Sequence, residues 1–287
     1  MEVAPGIHRI EGDLGERYVA QYLLVGEERT LLVDTGLRDM PRTVIAPYLD
    51  DRLDAVLISH ADVDHCGGNR TLRELSRGAR FLCGEADRPW IESNAAMLAG
   101  NYRWYEPYGF GPSPEDVAFL EHELGGDAPI DIGLRGGETL RLGPERRLEV
   151  LALPGHTPGH LGLWDAPTGA AIIIDAVLSD GVYDRAGRRL IPPRYYDAPA
   201  YEATIRRLRA LDPDLLLTAH YDVMDRPAAR EFLDRSLDFV QALRSAVRSA
   251  GTTDLRALTY EVDEVVGPFP SFTHELAGSV RAHLAEL

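Results

Sequence analysis

The sequence predicts an α/β fold, a four-layer αββα sandwich in which two sheets pack face to face with helices outside, followed by a small helical extension. Three observations carry this. Apolar runs of strand length recur at 55–58, 148–153, 171–174 and 215–217. Segments with helical spacing lie between and after them. Each of these runs ends at or near a histidine or a carboxylate, and open sheets place their functional groups at strand ends.

The elements follow in order. Tyr18–Gly26 and Thr30–Asp34 read as a hairpin turning at Glu27-Glu28, and further strands are expected at Ala55–Ser59, Arg80–Cys83, Leu148–Leu153, Leu161–Trp164, Ala171–Asp175 and Asp214–Ala219. Helices are expected at Asn69–Arg77, Pro114–Glu123, Pro199–Leu211 and Pro227–Ser249. Ser113 and Asp225 precede Pro114 and Arg226-Pro227 as caps, since a short polar side chain followed by proline suits a helix start. Leu255, Leu258, Val262 and Val265 keep helical spacing, and a last helix carries Leu276, Val280 and Leu284. The expected division is a catalytic domain over 1–225 and a helical extension over 226–287, similar to the winged-helix-like tails of some proteins.

Composition bounds the function. Hydrophobic residues make up 45% and charged residues 26% of 287, an ordinary globular balance. The formal charge of −16, with every basic charge on arginine, disfavours a nucleic-acid partner. No apolar stretch approaches the roughly 20 residues of a membrane span, and no charged-then-apolar leader opens the chain. With only Cys66 and Cys83 as thiols, a cytoplasmic protein acting on a small molecule is expected, alone or as a homodimer.

The chemistry concentrates in Ser59-His60-Ala61-Asp62-Val63-Asp64-His65-Cys66-Gly67-Gly68. Imidazoles and carboxylates held this closely after an apolar run are the donors of a Zn, Fe or Mn site. His156 follows a tight Pro154-Gly155 turn, Asp175 ends the run Ala171–Ile174, and His220 ends Leu215–Ala219. The glycines at 67 and 68 let the backbone pass close to such a centre and start the next helix. Asp34, in Leu31-Leu32-Val33-Asp34-Thr35-Gly36, either orients a ligating histidine through its other ring nitrogen or caps the turn; the first reading is preferred, because such carboxylates are common around ligating histidines. Cys66 reads as a packing residue, His160 as structural, and His8, His122, His274 and His283 have no ligand context.

These motifs resemble those of the metallo-β-lactamase-fold hydrolase superfamily: HxHxDH, a GH turn, an Asp and a late His, over about residues 1–222. The resemblance implies two divalent metal ions, zinc foremost, one held by His60, Asp62 and His156 and the other by Asp64, His65 and His220, with Asp175 bridging. One position departs from the pattern: the second histidine is Asp62, giving HxDxDH. An ionised carboxylate there removes one positive charge from the centre, acidifies bound water less, and hardens that half towards Fe or Mn. Asp62 outside the ligand set, leaving one half weak, is the other reading.

The resemblance further implies hydrolysis by a metal-bound hydroxide, of thioesters, lactones, β-lactams or phosphodiesters; the acidic chain and aromatic loops favour a carboxylic ester, thioester or lactone, and Asp64, on the same ligand turn, is the candidate proton shuttle. A non-haem iron or diiron redox enzyme is the alternative, since the flavodiiron branch also has a carboxylate at this position; a binding protein that has lost the chemistry is a third reading. Aromatic residues of the insertion 87–112, Tyr105 among them, wall a pocket or pack as a satellite cluster. By similarity to the lactonase branch a tyrosine after Asp175 donates to an oxyanion. Tyr195 is the catalytic candidate, with Tyr183, Tyr196 and Arg194 as substrate-facing residues.

Overall fold

Strands that are apolar on both faces need cover on both faces, and that requirement builds the molecule. The computed structural model describes residues 1–49 and 52–287. The first sheet holds, in spatial order, β1 (Glu2–Ala4), β2 (Ile7–Leu14), β3 (Arg17–Val25), β4 (Thr30–Val33), β5 (Ala55–Ile58), β6 (Arg80–Gly84) and β7 (Ile132–Leu134). The chain continues through β8 (Thr139–Arg141), β9 (Arg147–Ala152), β10 (Leu161–Asp165), β11 (Ala170–Ile174), the ribbon β12 (Val182–Tyr183) and β13 (Arg189–Ile191), β14 (Leu215–Thr218) and β15 (Met224–Asp225). The second sheet runs β15-β14-β11-β10-β9-β8.

Alternation along single strands assigns the layers. Leu31 and Val33 of β4, with Ile172 and Ile174 of β11, fill the core between the sheets. Leu32, Val56 and Phe81 face the other way, against Leu72 of helix Asn69–Leu75 and Leu120 of helix Pro114–Glu123. Ile173 and Leu216 face helices Ala198–Leu211 and Arg226–Ser249. The four-layer αββα sandwich is thus present.

Helix starts follow the caps. Ser113 and Asp116 form a capping box, and Asp225 accepts from the Ala228 amide at 3.0 Å. The segments that periodicity missed are short or mixed: β2 reads IHRIEGDL with a charged Arg9 among its buried positions, and β7 and β8 have three residues each. The aromatic insertion is a string of short turns that includes helices Arg88–Glu92 and Asn94–Met97.

The expected division at 225/226 does not divide the core. Helix Arg226–Ser249 buries Phe232, Leu233, Phe239 and Val240 in the same cluster as Ile173 and Leu216, and Leu258, Val262, Leu276 and Val280 of the last two helices join it. The tail carries no strand among the described residues, so it is not winged-helix-like. None of the described helices is long and apolar enough to cross a membrane.

Strand direction positions the site. β4, β5, β6 and β7 are mutually parallel, with Leu32 opposite Val56, so Asp34 and Ser59 emerge side by side. In the second sheet β11 and β14 are parallel neighbours, which brings Asp175 and His220 together.

Candidate metal centre

Four histidines converge through their Nε2 atoms because oxygens pin their Nδ1 atoms. Asp34, at φ 65° just after β4, accepts from the Ser59 amide at 2.7 Å, the Ser59 hydroxyl at 2.8 Å and His65 Nδ1 at 2.9 Å. Having donated to Asp34, the Ser59 hydroxyl accepts from His60 Nδ1 at 2.8 Å. His156 Nδ1 donates to the Arg194 carbonyl at 2.6 Å, and His220 Nδ1 to the Tyr18 carbonyl at 2.9 Å. A ring that donates from Nδ1 leaves a lone pair on Nε2, the form that ligates metal.

The carboxylates meet those nitrogens. Asp62 Oδ2 lies 3.2 Å from His60 Nε2 and 3.0 Å from His156 Nε2. Asp175 Oδ2 lies 3.2 Å from His65 Nε2 and 3.1 Å from His220 Nε2, while Asp64 Oδ2 lies 3.7 and 3.4 Å from the same two atoms. Metal–ligand bonds of about 2.0–2.1 Å in a tetrahedron set ligand–ligand edges of about 3.3 Å. The donor set therefore fits divalent ions. The buried Nε2 atoms of His60 and His65 and Oδ1 of Asp175 have no hydrogen-bond partner, which such ions would provide.

Local backbone serves this convergence. Helix Val63–Cys66 is a single turn that swings Asp64 and His65 inward. Gly155, before His156, has φ 135°, and a Cβ there would overlap the backbone of Tyr201. Ile174, before Asp175, sits at φ 51°, a costly conformation for a β-branched residue beside the centre.

The electrostatics differ across the site. For His65 burial is opposed by Asp64, Asp175 and Asp34, which hold its pKa well above the ordinary value, and Asp175 raises that of His220 against burial. Burial, then His65, pushes His60 down. Asp62 stays ionised well below the usual carboxylate range despite burial, chiefly through the Arg194 guanidinium.

The expected site residues separate into two groups. His60, Asp62, Asp64, His65, His156, Asp175 and His220 lie together, with Asp34 behind them. Arg194 lines the cleft and its Nη2 contacts both oxygens of Asp62. Tyr195 lies away from the cleft: its hydroxyl pairs with His283 Nε2 at 2.8 Å and its ring stacks on Tyr201 at 4.3 Å, inside the helical layer. The Tyr105 ring is buried against Trp104 at 4.1 Å, Tyr183 bonds Asp180 at 2.9 Å, and Tyr196 bonds Asn101 Oδ1 at 2.9 Å. None of these tyrosines lines the cleft, because neighbouring packing turns each one aside.

The tyrosine at the centre is Tyr102, which donates to Asp62 Oδ1 at 2.7 Å and accepts from the Val63 amide at 2.9 Å. Two more residues escaped the sequence reading. Asn101 donates to Asp62 Oδ1 at 2.8 Å. Asp87 accepts from Thr157 at 2.5 Å, Gly159 at 2.6 Å and Ala61 at 3.2 Å, tying the two ligand loops together. Membership of the aromatic insertion flagged Tyr102; no local signal marked the other two. Cys66 is a buried packing residue whose thiol donates to the Asp62 carbonyl at 3.1 Å. His160 stacks on His60 at 4.6 Å.

The centre lies in the wall of a cleft whose sides include Leu14, Phe119, Leu178, Ile191 and Phe272. Phe272 comes from the helical tail, so the tail shapes the site.

Known proteins share this architecture. The sequence profile described as metallo-beta-lactamase superfamily matches residues 14–220. The Bacillus subtilis (strain 168) protein YobT is 28% identical over 159 residues, covering 54% of this chain and 60% of that one. A hydroxyacylglutathione hydrolase of Cereibacter sphaeroides is 28% identical over 152 residues, covering 52% of this chain and 45% of that one. The chain thus spans about half the length of these relatives. Among solved structures, the metallo-beta-lactamase family protein TTHA1429 of Thermus thermophilus superposes with a TM-score of 0.73 at 22% identity, covering 100% of this chain and 94% of that one. The Flv1 flavodiiron core of Synechocystis sp. PCC6803 gives 0.60 at 16%, covering 86% and 62%. These two likenesses are of fold. The profile match runs from ahead of Asp34 through the last ligand candidate, His220, and the chain belongs to the metallo-beta-lactamase superfamily, most of whose members are metal-dependent hydrolases.

Proposed function

We propose that the protein is a metal-dependent hydrolase with a two-metal centre, acting on a carboxylic ester, thioester or lactone of a small molecule with an apolar body. The observation that carries this reading is the convergence of four Nε2 atoms and three carboxylates in the wall of an apolar cleft. When bound, two divalent ions, zinc foremost, would acidify a water and polarise the scissile carbonyl. The chain supplies the rest. Leu14, Phe119, Leu178, Ile191 and Phe272 hold the apolar body and exclude water. Asp64 has the most exposed carboxylate of the three, at 15% against 8% for Asp62 and 7% for Asp175, and is the one placed to pass a proton to the leaving group. Arg194 lines the same cleft, and its guanidinium suits a carbonyl or carboxylate oxygen of the substrate. The acidic chain disfavours polyanionic substrates.

The oxygen donor of Asp62 favours a second reading, a non-haem iron redox centre. Elemental analysis of protein purified without added metal, followed by an ester, thioester and lactone panel, separates the two. Near-stoichiometric zinc, with turnover lost on chelation and regained with zinc, is the expected result. Predominant iron with oxygen consumption and no hydrolysis would replace hydrolysis by the redox reading.

A further inference from the structure

Asp62 places a carboxylate where the family pattern has a neutral imidazole, so the half of the centre that contains it should be rich in negative charge. Its surroundings reverse that expectation. Nη2 of Arg194 contacts both Asp62 oxygens, and Arg194 is 4% exposed. A guanidinium does not lose its proton. Its position is built: the guanidinium carbon lies 5.6 Å from the Tyr102 ring centroid and 5.8 Å from that of Tyr196, and the same residue's carbonyl holds His156. The nearest other carboxylate, Glu275, is 3.8 Å from Nη1. In the other half, Asp64 and Asp175 pair only with His65 and His220 among the described residues.

We infer that Arg194 is a built-in counter-charge to Asp62, so that the half formed by His60, Asp62 and His156 binds its metal second and more weakly than the half formed by Asp64, His65 and His220, with Asp175 shared between them. The inference rests on the two-metal reading. The physical reason is proximity. A guanidinium nitrogen touching Oδ2 stands within about 4–5 Å of any ion ligated by that oxygen, and in a buried site repulsion of a divalent ion at that range is barely screened. A hydrogen-bond donor behind a ligand usually strengthens binding by orienting the ligand. Here Asn101 and Tyr102 already anchor Oδ1, at 2.8 and 2.7 Å, so what Arg194 adds is charge. Arg194 is thus a positioning residue that sets the occupancy of one half of the centre.

The test is zinc titration of the metal-free full chain against a chromogenic chelator. Wild type should bind two zinc ions with affinities more than about tenfold apart. Arg194→Gln should tighten the second by at least about tenfold and move the first by less than about threefold, while Arg194→Lys, which keeps the charge, should stay within about threefold of wild type at both. One zinc in wild type and two in Arg194→Gln is the same result in stronger form. Two zinc ions in both proteins, with the second unchanged or weaker in Arg194→Gln, overturns the inference and leaves the two-metal reading standing. A single zinc in both overturns the two together. If Arg194→Gln does not fold, Asp62→His asks the question from the other side. With the guanidinium left unpaired beside an imidazole, the second zinc should weaken by at least about tenfold; equal or tighter binding overturns the inference.

Discussion

The two halves of the centre present similar ligand atoms on different supports. His65 and His220 are held by the sheet framework: Asp34 follows β4 directly, and Tyr18 lies in β3. Asp62 and His156 are held by side chains and carbonyls from the insertion and from the segment after Asp175, namely Asn101, Tyr102 and Arg194. A ligand tied to the sheet inherits the rigidity of the core, whereas a ligand tied to loops depends on how those loops pack. The contrast locates the adaptable part of this protein in the half that contains Asp62, the position that departs from the family pattern.

The comparison fails outright if the halves do not share Asp175. Asp175 Oδ2 touches both histidines of the sheet-held half, and Asp175 also groups with His60 and His65. Asp175→Ala is expected to lower metal content below one per chain and turnover by more than about a hundredfold, since losing outer support alone can cost that much. Elemental analysis checks it, and one tightly held metal in the variant would show that Asp175 serves a single half.

Asp87 sharpens the comparison from the loop side. Burial pushes its pKa from 3.8 to about 6, against the hydrogen bonds it accepts from Thr157, Gly159 and Ala61. A carboxyl that binds its proton more tightly in the folded state stabilises the fold most at low pH, and the contribution is lost as pH rises between the two values. Two pKa units correspond to about 3 kcal/mol. In metal-free protein, the unfolding free energy of Asp87→Asn relative to wild type should therefore rise by about 3 kcal/mol from pH 4 to pH 6 and then level off. A flat difference in denaturant melts across that window would show that the Asp87 carboxyl binds its proton no more tightly in the folded chain than in the unfolded one.

The same contrast explains what could be read in advance. Ligand candidates at strand ends are local features, and Asp34, His60, Asp175 and His220 stand out because an apolar run stops at or beside each of them. The alternation of Leu31, Leu32 and Val33 across two cores likewise follows from the strands themselves. Arg194 lies 132 residues from Asp62, and nothing within either segment encodes their meeting. The tyrosines make the point again. Composition shows that the insertion and the segment after Asp175 carry phenols, but which phenol faces the centre depends on packing between segments, and it is Tyr102 that does. The tail misled for a related reason: its amphipathic helices require an apolar partner, and periodicity does not say whether that partner is a separate small core or the outer face of the second sheet.

On the sheet-held side, Asp34→Asn tests the rigid support. The amide oxygen can still accept from the Ser59 amide, but its NH₂ would face His65 Nδ1 and force the other tautomer, placing a proton on Nε2 where a metal should bind. Affinity for the first zinc should fall about 10–100-fold. Chelator competition reads this directly, and an unchanged first affinity would demote Asp34 to a turn cap.

The smallest expected effect separates the centre from the layer behind it. Tyr195 follows Arg194 directly, yet its hydroxyl bonds His283 on the last helix while Arg194 faces the cleft. Tyr195→Phe keeps the ring and its stacking on Tyr201 and removes one buried hydrogen bond, so it should cost about 1 kcal/mol in unfolding free energy. Zinc affinities should stay within about threefold of wild type, because no ligand or partner of a ligand has moved, and turnover on whatever substrate the panel identifies should follow. Wild-type stability with turnover reduced by more than about tenfold would return Tyr195 to the catalytic machinery. The opposite pattern, a stability loss with intact metal binding and turnover, would mark the boundary between chemistry and scaffold within one dipeptide: Arg194 on the side of the centre, Tyr195 on the side of the helices.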